Sequence, residues 1–554
     1  MPVTTTFPGI YIEEIQSSAH TITAAPTSIA VFIGYTHPFK TKKLVFNPTT
    51  RKLDLLADQF GEAVRLFSFS DYERNFGGFF GGSIFDPDPI ADPGDYFGNL
   101  PLAVNQFFLN GGSDCYVIGL EAQPGGASLV PGFVDIGGIR FTAREPTDAD
   151  HPMTVTIDPK GTSVSSPPSS PPNIDDIADI IVSYGSGAGT TVEAFRRVKL
   201  SNLESTIGTD SSPLSNLVTV SPTPPGTSYP SFFTAGKNQP VSAMSPASPP
   251  VSIAHSFSEI FQQDSSLDKI PIFNLLVIPG VTANIVLSEA LAFCESKRAF
   301  LIVDPPQPDV ATPPTNWIGD IVGAGDTLGN VAPESPNGAI YFPYIKSNDP
   351  ETGDPIDLPP AATAAGIFAR TDLNRGVWKA PAGQETTILG TTGVVSGGEM
   401  SDQRQGTLNQ IAINCLRNFP GVGTVVFGAR TLVGANSNTS QQQWRYVPVR
   451  RMALFLEQTL YNNLGWVVFE PNDEPLWAAI RTSIEAFMLG LFRQGAFQGA
   501  TPSEAFQVKC DSQTTTQADI DNGIVNIVVA FAPLKPAEFV IIKISQLAGQ
   551  TQTS

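Results

Sequence analysis

The side chains that could act as a nucleophile or a general base are few and scattered along this sequence. The chain of 554 residues contains four histidines: His20, His37, His151 and His255. None stands in a sequence context typical of a Ser-His-Asp triad, and no Gly-x-Ser-x-Gly turn presents a serine. A serine hydrolase is the enzymatic alternative. Because these patterns are missing from the sequence, no catalytic residue is predicted.

Two further motifs could bind a phosphate or a metal ion. The glycine-rich segment 323–330, GAGDTLGN, lacks the lysine of a phosphate-binding loop and misses the dinucleotide spacing, so a plain turn is predicted. The segment DPDPIADPGD carries four acids, but prolines stand where a calcium loop would have to wrap around the ion. Those acids are Asp86, Asp88, Asp92 and Asp95. The sequence thus predicts no metal and no cofactor.

The cysteines and the net charge exclude other classes of site. Cys115, Cys294, Cys415 and Cys510 show no C-x-x-C spacing, so buried thiols are predicted rather than a zinc or redox site. The chain has 32 basic and 52 acidic side chains, a net charge of -20, which argues against a nucleic-acid partner. We find no secretory signal and no apolar run of membrane-spanning length. We expect synthesis in the cytoplasm and no direct insertion into a membrane.

Both ends of the chain have the pattern of single β-strands. PGIYIEEI occupies residues 8–15 and KPAEFVIIKI occupies residues 535–544; each follows a proline and has no partner strand nearby in sequence. An unpaired strand edge can pair with another chain, so the ends are predicted to be linking arms. Pairing of the two ends with each other is the alternative.

Strands and helices are predicted to alternate in two stretches, which are separated by a segment of different composition. Residues 27–120 and 251–375 favour a mostly parallel α/β domain. Its predicted elements include TSIAVFIGYT, the helix LPLAVNQFFLNGG, CYVIGL, IFNLLVIPG, a helix at 287–297, AFLIVD and AIYFPYI. Residues 121–250 are rich in Pro, Ser and Gly and are predicted to be an inserted β-rich domain, with strands at 153–157 and 216–220. The polar stretch 366–383 is predicted to be a linking loop.

Residues 376–536 are predicted to form an α+β module, flanked in the chain by arms at 1–26 and 537–554. One helix places apolar side chains on a single face: Met452, Phe455, Leu456, Leu460 and Leu464. A second helix is predicted to begin after an Asn472 cap, with Pro475 in its first turn and Gly495 at its end. Its apolar stripe comprises Trp477, Ile480, Ile484, Phe487, Met488 and Leu491. Strands are predicted at 505–510, 523–531 and 538–544.

Several of these segments resemble the sheath proteins of contractile phage tails and of related bacterial contractile injection systems. The resemblance rests on PGIYIEEI, PTSIAVFIG, FFLNGGSDCYVI and AIYFPYIKSNDP, and on ARTDLNRGVWKAPAG, AINCLRNFPGVGTVVFGARTL and WRYVPVRRMALFLEQTL. It continues through WVVFEPNDEPLW, GAFQGATPSEAFQVKCD and GIVNIVVAFAPLKPAEFVIIKI. The matching segments follow the family's order, whereas the insertion at 121–250 has no counterpart that we can name.

The resemblance implies an architecture and a function. It implies stacked hexameric rings around an inner tube, a middle domain of subtilisin-like but non-catalytic topology, a C-terminal module facing the tube and an insertion on the outside. It also implies partners: other copies of the chain, the inner tube protein, and baseplate and terminal cap proteins. The particle would be a virion tail or a phage-tail-like injection device, assembled without a cofactor.

The same resemblance implies that each arm adds a strand to a sheet of a neighbouring subunit. The arm residues are Ile10, Tyr11, Ile12, Ile15, Phe539, Val540, Ile541, Ile542 and Ile544. Basic residues are concentrated in the acidic chain's C-terminal module, and among them Arg481 and Arg493 are predicted to contact acidic groups of the inner tube. A secreted β-rich adhesin is the non-enzymatic alternative, suggested by the Ser-, Thr- and Pro-rich insertion.

Overall fold

The computed structural model describes most of the chain. The described residues are 20–49, 51–80, 99–121, 129–149, 151–160, 177–185, 190–229, 238–243, 257, 259–306, 332–350, 353–395, 397–434 and 441–543. They divide into two compact units. The larger contains the described residues of 26–374 and 381–450, and the smaller those of 20–25, 375–380 and 451–543.

An eight-stranded sheet, the central sheet, forms the core of the larger unit. From edge to edge its strands are Gly423–Val426, Ile413–Phe419, Gly338–Phe342, Phe300–Val303, Leu275–Val277, Ala30–Tyr35, Cys115–Leu120 and Ala63–Leu66. The inner neighbours are parallel, and the first and last strands pair antiparallel at the two edges. Parallel neighbours need crossover connections, and helix Asn284–Lys297 provides the one between Leu275–Val277 and Phe300–Val303. The mixed α/β class predicted from the sequence is confirmed.

Helices cover both faces of the central sheet, which explains why its strands are apolar at consecutive positions. Val31 and Ile33 lie in one core cluster with residues of helix Asn284–Lys297. Phe32 belongs to the opposite face, where its ring lies 5.2 Å from that of Phe107. Successive side chains of a strand point to opposite faces, so a strand buried on both sides has an unbroken apolar run. The strands predicted from such runs are confirmed.

Helix Ala361–Arg375 occupies the first ten residues of the predicted linking loop 366–383, so that prediction is wrong over 366–375, whereas residues 376–383 form neither helix nor strand. The residues from Ala361 to Ala369 are buried. A Cβ at Gly366 would stand 2.6 Å from the carbonyl oxygen of Phe107, so this glycine permits close helix packing. The loop was predicted because the stretch 366–383 is mostly polar, and it began at Gly366, so it left out the buried, alanine-rich first turn of the helix.

The insertion forms two antiparallel sheets around a core of its own, in agreement with the predicted β-rich domain. Its three-stranded sheet has the order Val218–Pro222, Ile139–Ala143, Phe133–Ile136. Its four-stranded sheet has the order Thr191–Lys199, Ile177–Tyr184, Met153–Pro159, Gln239–Pro240. Apolar side chains from both sheets make one buried cluster.

The remaining elements of the larger unit are short. They are the hairpin Lys42–Asn47 and Lys52–Asp58, the sheet of Pro355–Leu358, Ile345–Asn348 and Gly393–Val394, the pair Gly208–Thr209 and Ser212–Pro213, helices Phe69–Phe76, Asn99–Leu109, Leu203–Ile207 and Asp402–Gln410, and 3-10 turns Leu200–Asn202 and Gln442–Trp444.

Two long helices and a small sheet make up the smaller unit. Its elements are helix Val447–Asn463 from Arg451 onward, the 3-10 turn Gly465–Val467, helices Glu474–Arg493, Pro502–Ala505 and Gln517–Asp521, and strands Phe506–Lys509 and Val528–Phe531. The apolar stripes predicted for both long helices pack in one cluster. Met452 and Ile480 are 1% and 0% exposed at its centre. The two helices predicted from these stripes are confirmed.

The cap of the second long helix differs from the prediction by one residue. Asp473, rather than Asn472, is the N-cap, and its side chain accepts a hydrogen bond from the Leu476 amide at 3.2 Å. Asn472 instead accepts from the Trp477 indole N–H at 2.9 Å and donates to the Ile524 carbonyl oxygen at 3.0 Å. Either residue type can cap a helix. The tertiary partners of Asn472 decided the choice.

The predicted boundary at residue 376 also differs from the observed division. Residues 381–450 belong to the larger unit, where Ile413–Phe419 pairs with Gly338–Phe342 in the central sheet. Only residues 375–380 of the preceding stretch join the smaller unit, with Val377 in its core. Parallel pairing between strands so distant in sequence cannot be recognised from local sequence patterns. The boundary predicted from composition was therefore placed too early.

Candidate assembly surfaces and charged sites

The described end of the chain, residues 535–543, is an exposed apolar segment that we term the C-terminal arm. Phe539, Val540, Ile541 and Ile542 are 74%, 81%, 82% and 79% exposed. The arm forms no β-strand in the described chain, although the sequence analysis predicted one at 538–544. Four consecutive exposed apolar residues are unusual on a soluble surface and mark an interaction site.

The predicted N-terminal arm residues Ile10, Tyr11, Ile12 and Ile15 lie outside the described residues, as does Ile544 of the other arm. The last residues of the predicted N-terminal arm, 20–25, belong to the smaller unit. The Thr23 amide donates to the Asn463 side chain at 2.9 Å, and that side chain donates back to the Thr23 carbonyl oxygen at 2.8 Å. Nearby, the His20 ring stacks on Trp466 with 3.9 Å between centroids. The root of the N-terminal arm is therefore anchored on the long helix.

The small sheet of the smaller unit offers edges to which a further strand could be added. Phe506–Lys509 and Val528–Phe531 pair antiparallel, and among the described residues this sheet has two strands. One isolated bridge joins Phe497 to Pro533 beside it. Val528 is 49% exposed, so an apolar side chain stands on the open face of the sheet. A two-stranded sheet is marginal by itself and gains stability from a third strand.

Arg481 and Arg493, the predicted tube contacts, occupy different environments on helix Glu474–Arg493. Arg481 donates to the Glu474 carboxylate at 2.7 Å and to the Cys510 carbonyl oxygen. The bond to Glu474 raises the pKa of the Arg481 guanidinium above its usual range. Arg493 is exposed at the last residue of the helix. The structure therefore leaves Arg493 more available than Arg481 to an external partner.

A charged cluster that the sequence analysis missed connects the insertion to the rest of the larger unit. Glu145 of the insertion accepts from His37 Nε2 at 2.9 Å and from the Lys40 ammonium group. His37 is fully buried, and its Nδ1 accepts the backbone amides of Phe39 and Lys40 at 3.1 and 3.2 Å. The ring is therefore the neutral Nε2–H tautomer. Both of its nitrogens are occupied by structural partners.

The pKa values in this cluster follow from its burial and its charges. Burial lowers the pKa of His37, and the nearby Glu145 carboxylate only partly offsets that effect. Burial would raise the pKa of Glu145, but the hydrogen bonds from His37 and Lys40 and the charge of Lys40 outweigh it and hold the pKa below its usual value. No local pattern could have identified this cluster, because its partners are distant in sequence.

Asp304 occupies the edge of the central sheet where open α/β folds bind ligands. It directly follows strand Phe300–Val303 and is 1% exposed. Its two carboxyl oxygens accept the Gly280 amide at 2.9 Å and the Ala361 amide at 2.6 Å. Burial raises the pKa of Asp304 to about 7, against the lowering effect of those two bonds. The chain's own carboxyl group thus binds the first N–H of helix Ala361–Arg375, a position open to a ligand in other α/β proteins.

Among the described residues, the other candidate groups do not converge on a catalytic site. His151 pairs with Asp148 at 3.2 Å within the insertion, and His255 lies outside the described residues. All four cysteines are buried free thiols, as predicted, and burial raises the pKa of Cys415 to about 12. Within the described ranges, no group of three or more His, Cys, Asp or Glu side chains could hold a metal ion. The same part of the chain contains no helix long and apolar enough to cross a bilayer.

Solved structures share this fold over nearly the whole chain. The sheath complex of an extracellular contractile injection system, PVC, in its contracted state has a TM-score of 0.53 and 22% identity, covering 98% of this chain and 99% of that one. The contracted helical sheath of the anti-feeding prophage has a TM-score of 0.52 and 22% identity, covering 98% and 100%. A sheath tail protein from Desulfitobacterium hafniense has a TM-score of 0.53 and 11% identity, covering 95% and 100%. The fold is therefore that of contractile sheath proteins.

Sequence comparison places the chain more closely. The family model of the phage tail sheath protein central domain matches residues 266–432, and that of the phage tail sheath C-terminal domain matches residues 439–546. The chain belongs to the phage tail sheath family. A putative prophage major tail sheath protein of Pseudomonas aeruginosa is 28% identical over 271 residues, 48% of this chain and 62% of that protein. The tail sheath protein of Vibrio phage KVP40 is 27% identical over 203 residues, 36% of this chain and 27% of that protein.

Proposed function

We propose that this protein is a structural sheath subunit that polymerises as stacked hexameric rings around an inner tube and contracts to drive that tube through a target envelope. Its family membership and a fold shared with two contracted sheath assemblies support this function. The single observation that carries it within this chain is the C-terminal arm, with four consecutive apolar side chains exposed to solvent. A subunit that functioned alone would gain nothing from that exposure.

The C-terminal arm is suited to strand addition. An extended segment that joins an exposed sheet edge gains main-chain hydrogen bonds, and its alternate side chains gain apolar contacts. In this proposal the arm of one subunit extends the sheet of Phe506–Lys509 and Val528–Phe531 in a neighbour, and the N-terminal arm residues Ile10, Tyr11, Ile12, Ile15 join the same mesh. Such links keep subunits connected while each one rotates as a rigid body.

The partners and placement follow from the same proposal. The smaller unit faces the inner tube, the insertion lies on the outside, and baseplate and cap proteins bind the two ends of the sheath. The middle domain keeps a subtilisin-like topology without a catalytic site. Contraction then needs no cofactor, because a metastable extended lattice shortens when a denser set of contacts between subunits becomes available. The particle is a virion tail or a phage-tail-like injection device.

Electron microscopy of the purified full-length protein tests this function. We expect negatively stained samples to contain hollow tubes with a regular axial repeat at high protein concentration, because subunits join through their arms by mass action. The tubes should disappear on dilution. A protein that stays monomeric at all concentrations, with or without an inner tube protein, would contradict the proposal and favour the adhesin alternative.

Charge reversal at the end of the second long helix tests the contact with the inner tube. Arg493→Glu should reduce the inner tube protein that sediments with the sheath about fivefold, because an exposed pair contributes about 1 kcal/mol. Arg481→Glu should act similarly but also break the bond to Glu474. Arg74→Glu, at a side chain 74% exposed, is the matched control. Unchanged sedimentation of the tube protein with the Arg493 variant would remove this residue from the interface.

A further inference from the structure

A tight turn after the first long helix holds an aromatic residue in a conformation that favours glycine. The Glu470 amide donates to the Val467 carbonyl oxygen at 3.2 Å, which closes the turn. Val468 has φ -68° and ψ 128°, and Phe469 has φ +71°. These angles define a type II turn with Phe469 at its third position, where a positive φ makes glycine the usual residue. A bulky side chain there strains the backbone.

Nothing in the described chain compensates for this strain. Phe469 is 101% exposed, and the preceding Val468 is 61% exposed. A large aromatic ring usually contributes to stability through burial, and this one has none in the free subunit. Replacement of Phe469 by glycine would relieve the backbone strain in the turn. A strained and fully exposed aromatic residue is therefore best explained by a contact with another molecule.

Charge near the turn indicates what that molecule carries. Glu470, Asp473 and Glu474 follow Phe469 in the sequence and are exposed, and Glu474 pairs with Arg481, so the turn is followed by an excess of carboxylates. The C-terminal arm has two lysines, Lys535 and Lys543, and one acid, Glu538, so it carries a net positive charge with Lys543 directly after its apolar run. Opposite charges bordering two apolar surfaces favour their association and oppose like-charged partners.

The C-terminal arm has two apolar faces when it is extended, and the core beneath a sheet can cover only one of them. In an extended segment Phe539 and Ile541 point to one side, and Val540 and Ile542 point to the other. Within the sheet, Val529 packs against the core of the smaller unit, whereas Val528 lies on the open face and is 49% exposed. An added arm would therefore place two apolar side chains on the open face. They need a cover from outside the sheet.

The turn is followed closely in the sequence by Asn472, which forms a hydrogen bond near this sheet. Asn472 donates to the Ile524 carbonyl oxygen at 3.0 Å, a few residues before strand Val528–Phe531. We propose that Phe469 is a docking residue for the C-terminal arm of a second copy of this chain and covers its outward apolar side chains. This inference rests on the proposed sheath function and adds to it a named receptor residue.

Two substitutions at Phe469 separate contact from strain. Phe469→Gly should raise the melting temperature of the free subunit by about 2–4 °C, because glycine suits the turn. It should also raise the protein concentration needed for sheath formation about tenfold, because the arm loses an apolar contact. Phe469→Ala should raise that concentration to a similar extent without the gain in melting temperature. Sheaths that form at the wild-type concentration with both variants would overturn the inference.

Cross-linking identifies the occupant. The four native cysteines are buried, so Phe469→Cys combined with Val540→Cys should give intermolecular disulfide-linked chains in assembled sheaths and none in dilute protein. Phe469→Cys combined with Leu373→Cys, at a residue that is 84% exposed, is the control pair and should give none. Equal cross-linking of both pairs, or an effect of Phe469 that requires the tube protein, would overturn the assignment to the arm. A wild-type protein that forms no sheaths would instead contradict the proposed function itself.

Discussion

Truncation of the chain after Leu534 should abolish sheath tubes while leaving the free subunit folded. The removed segment contains the C-terminal arm, whose residues 539–542 are each at least 74% exposed and therefore contribute little to the core. In a neighbour's sheet those four side chains would each contribute about 1.5 to 3 kcal/mol by burial. Together they amount to about 6 to 12 kcal/mol, which is comparable with the whole free energy of an association of micromolar to nanomolar affinity. Electron microscopy measures the tubes, and circular dichroism measures the fold.

A truncation after Gly549 is the matched control, since it removes only the polar end of the sequence, QTQTS. It should assemble as the full chain does. Deletion of residues 1–15, which contain the predicted arm residues Ile10, Tyr11, Ile12 and Ile15, should also prevent contractile sheaths. Normal, contractile tubes from either arm truncation would show that the arms are not the links between subunits.

Glu145→Gln should lower the free energy of unfolding of the larger unit by about 3 to 5 kcal/mol. The change leaves the Lys40 ammonium without its counter-charge in a largely buried site, where its side chain is 14% exposed. Removing one partner of a buried pair is costly because the other charge stays desolvated. Urea unfolding, followed by intrinsic fluorescence, gives the free energy for the wild type and the variant.

A second acid of the insertion provides the matched control. Asp135 makes two bonds of 2.8 Å to Arg140, but both side chains are more than a third exposed. Asp135→Asn should therefore cost at most about 1 kcal/mol, as exposed pairs do. If both variants lose the same small amount, the cluster around Glu145 is not what holds the insertion to the larger unit.

The pH dependence of this cluster has a definite sign. The pKa of His37 is lowered on folding, so the unfolded chain binds more protons below pH 6.5, and stability falls as the pH drops through that value. The lowered pKa of Glu145 acts in the same direction below pH 4.5. Asp304, with its raised pKa, contributes the opposite slope up to about pH 7. In the same unfolding assay, the difference between the wild type and His37→Gln isolates the first contribution.

Periodicity and composition were sufficient to predict the helices and strands whose apolar residues follow a regular pattern along the chain. Apolar runs predicted the parallel strands, because strands buried on both faces cannot alternate. Stripes at intervals of three or four predicted both long helices of the smaller unit. The helix Ala361–Arg375 escaped this reasoning because its second half is mostly polar, and its buried first half packs on partners far away in the sequence, such as Phe107.

The amino-acid sequence by itself determined most element types and the family resemblance, and it predicted the apolar arms, since each depends on side chains close together in the chain. Only the tertiary structure decided that residues 381–450 complete the central sheet, that Asp304 binds the first N–H of a helix, and that Glu145 meets His37 and Lys40. It also revealed Phe469 as an exposed residue at a strained turn. These features depend on long-range pairing, burial and backbone angles, which are consequences of packing and leave no periodic signal in the sequence.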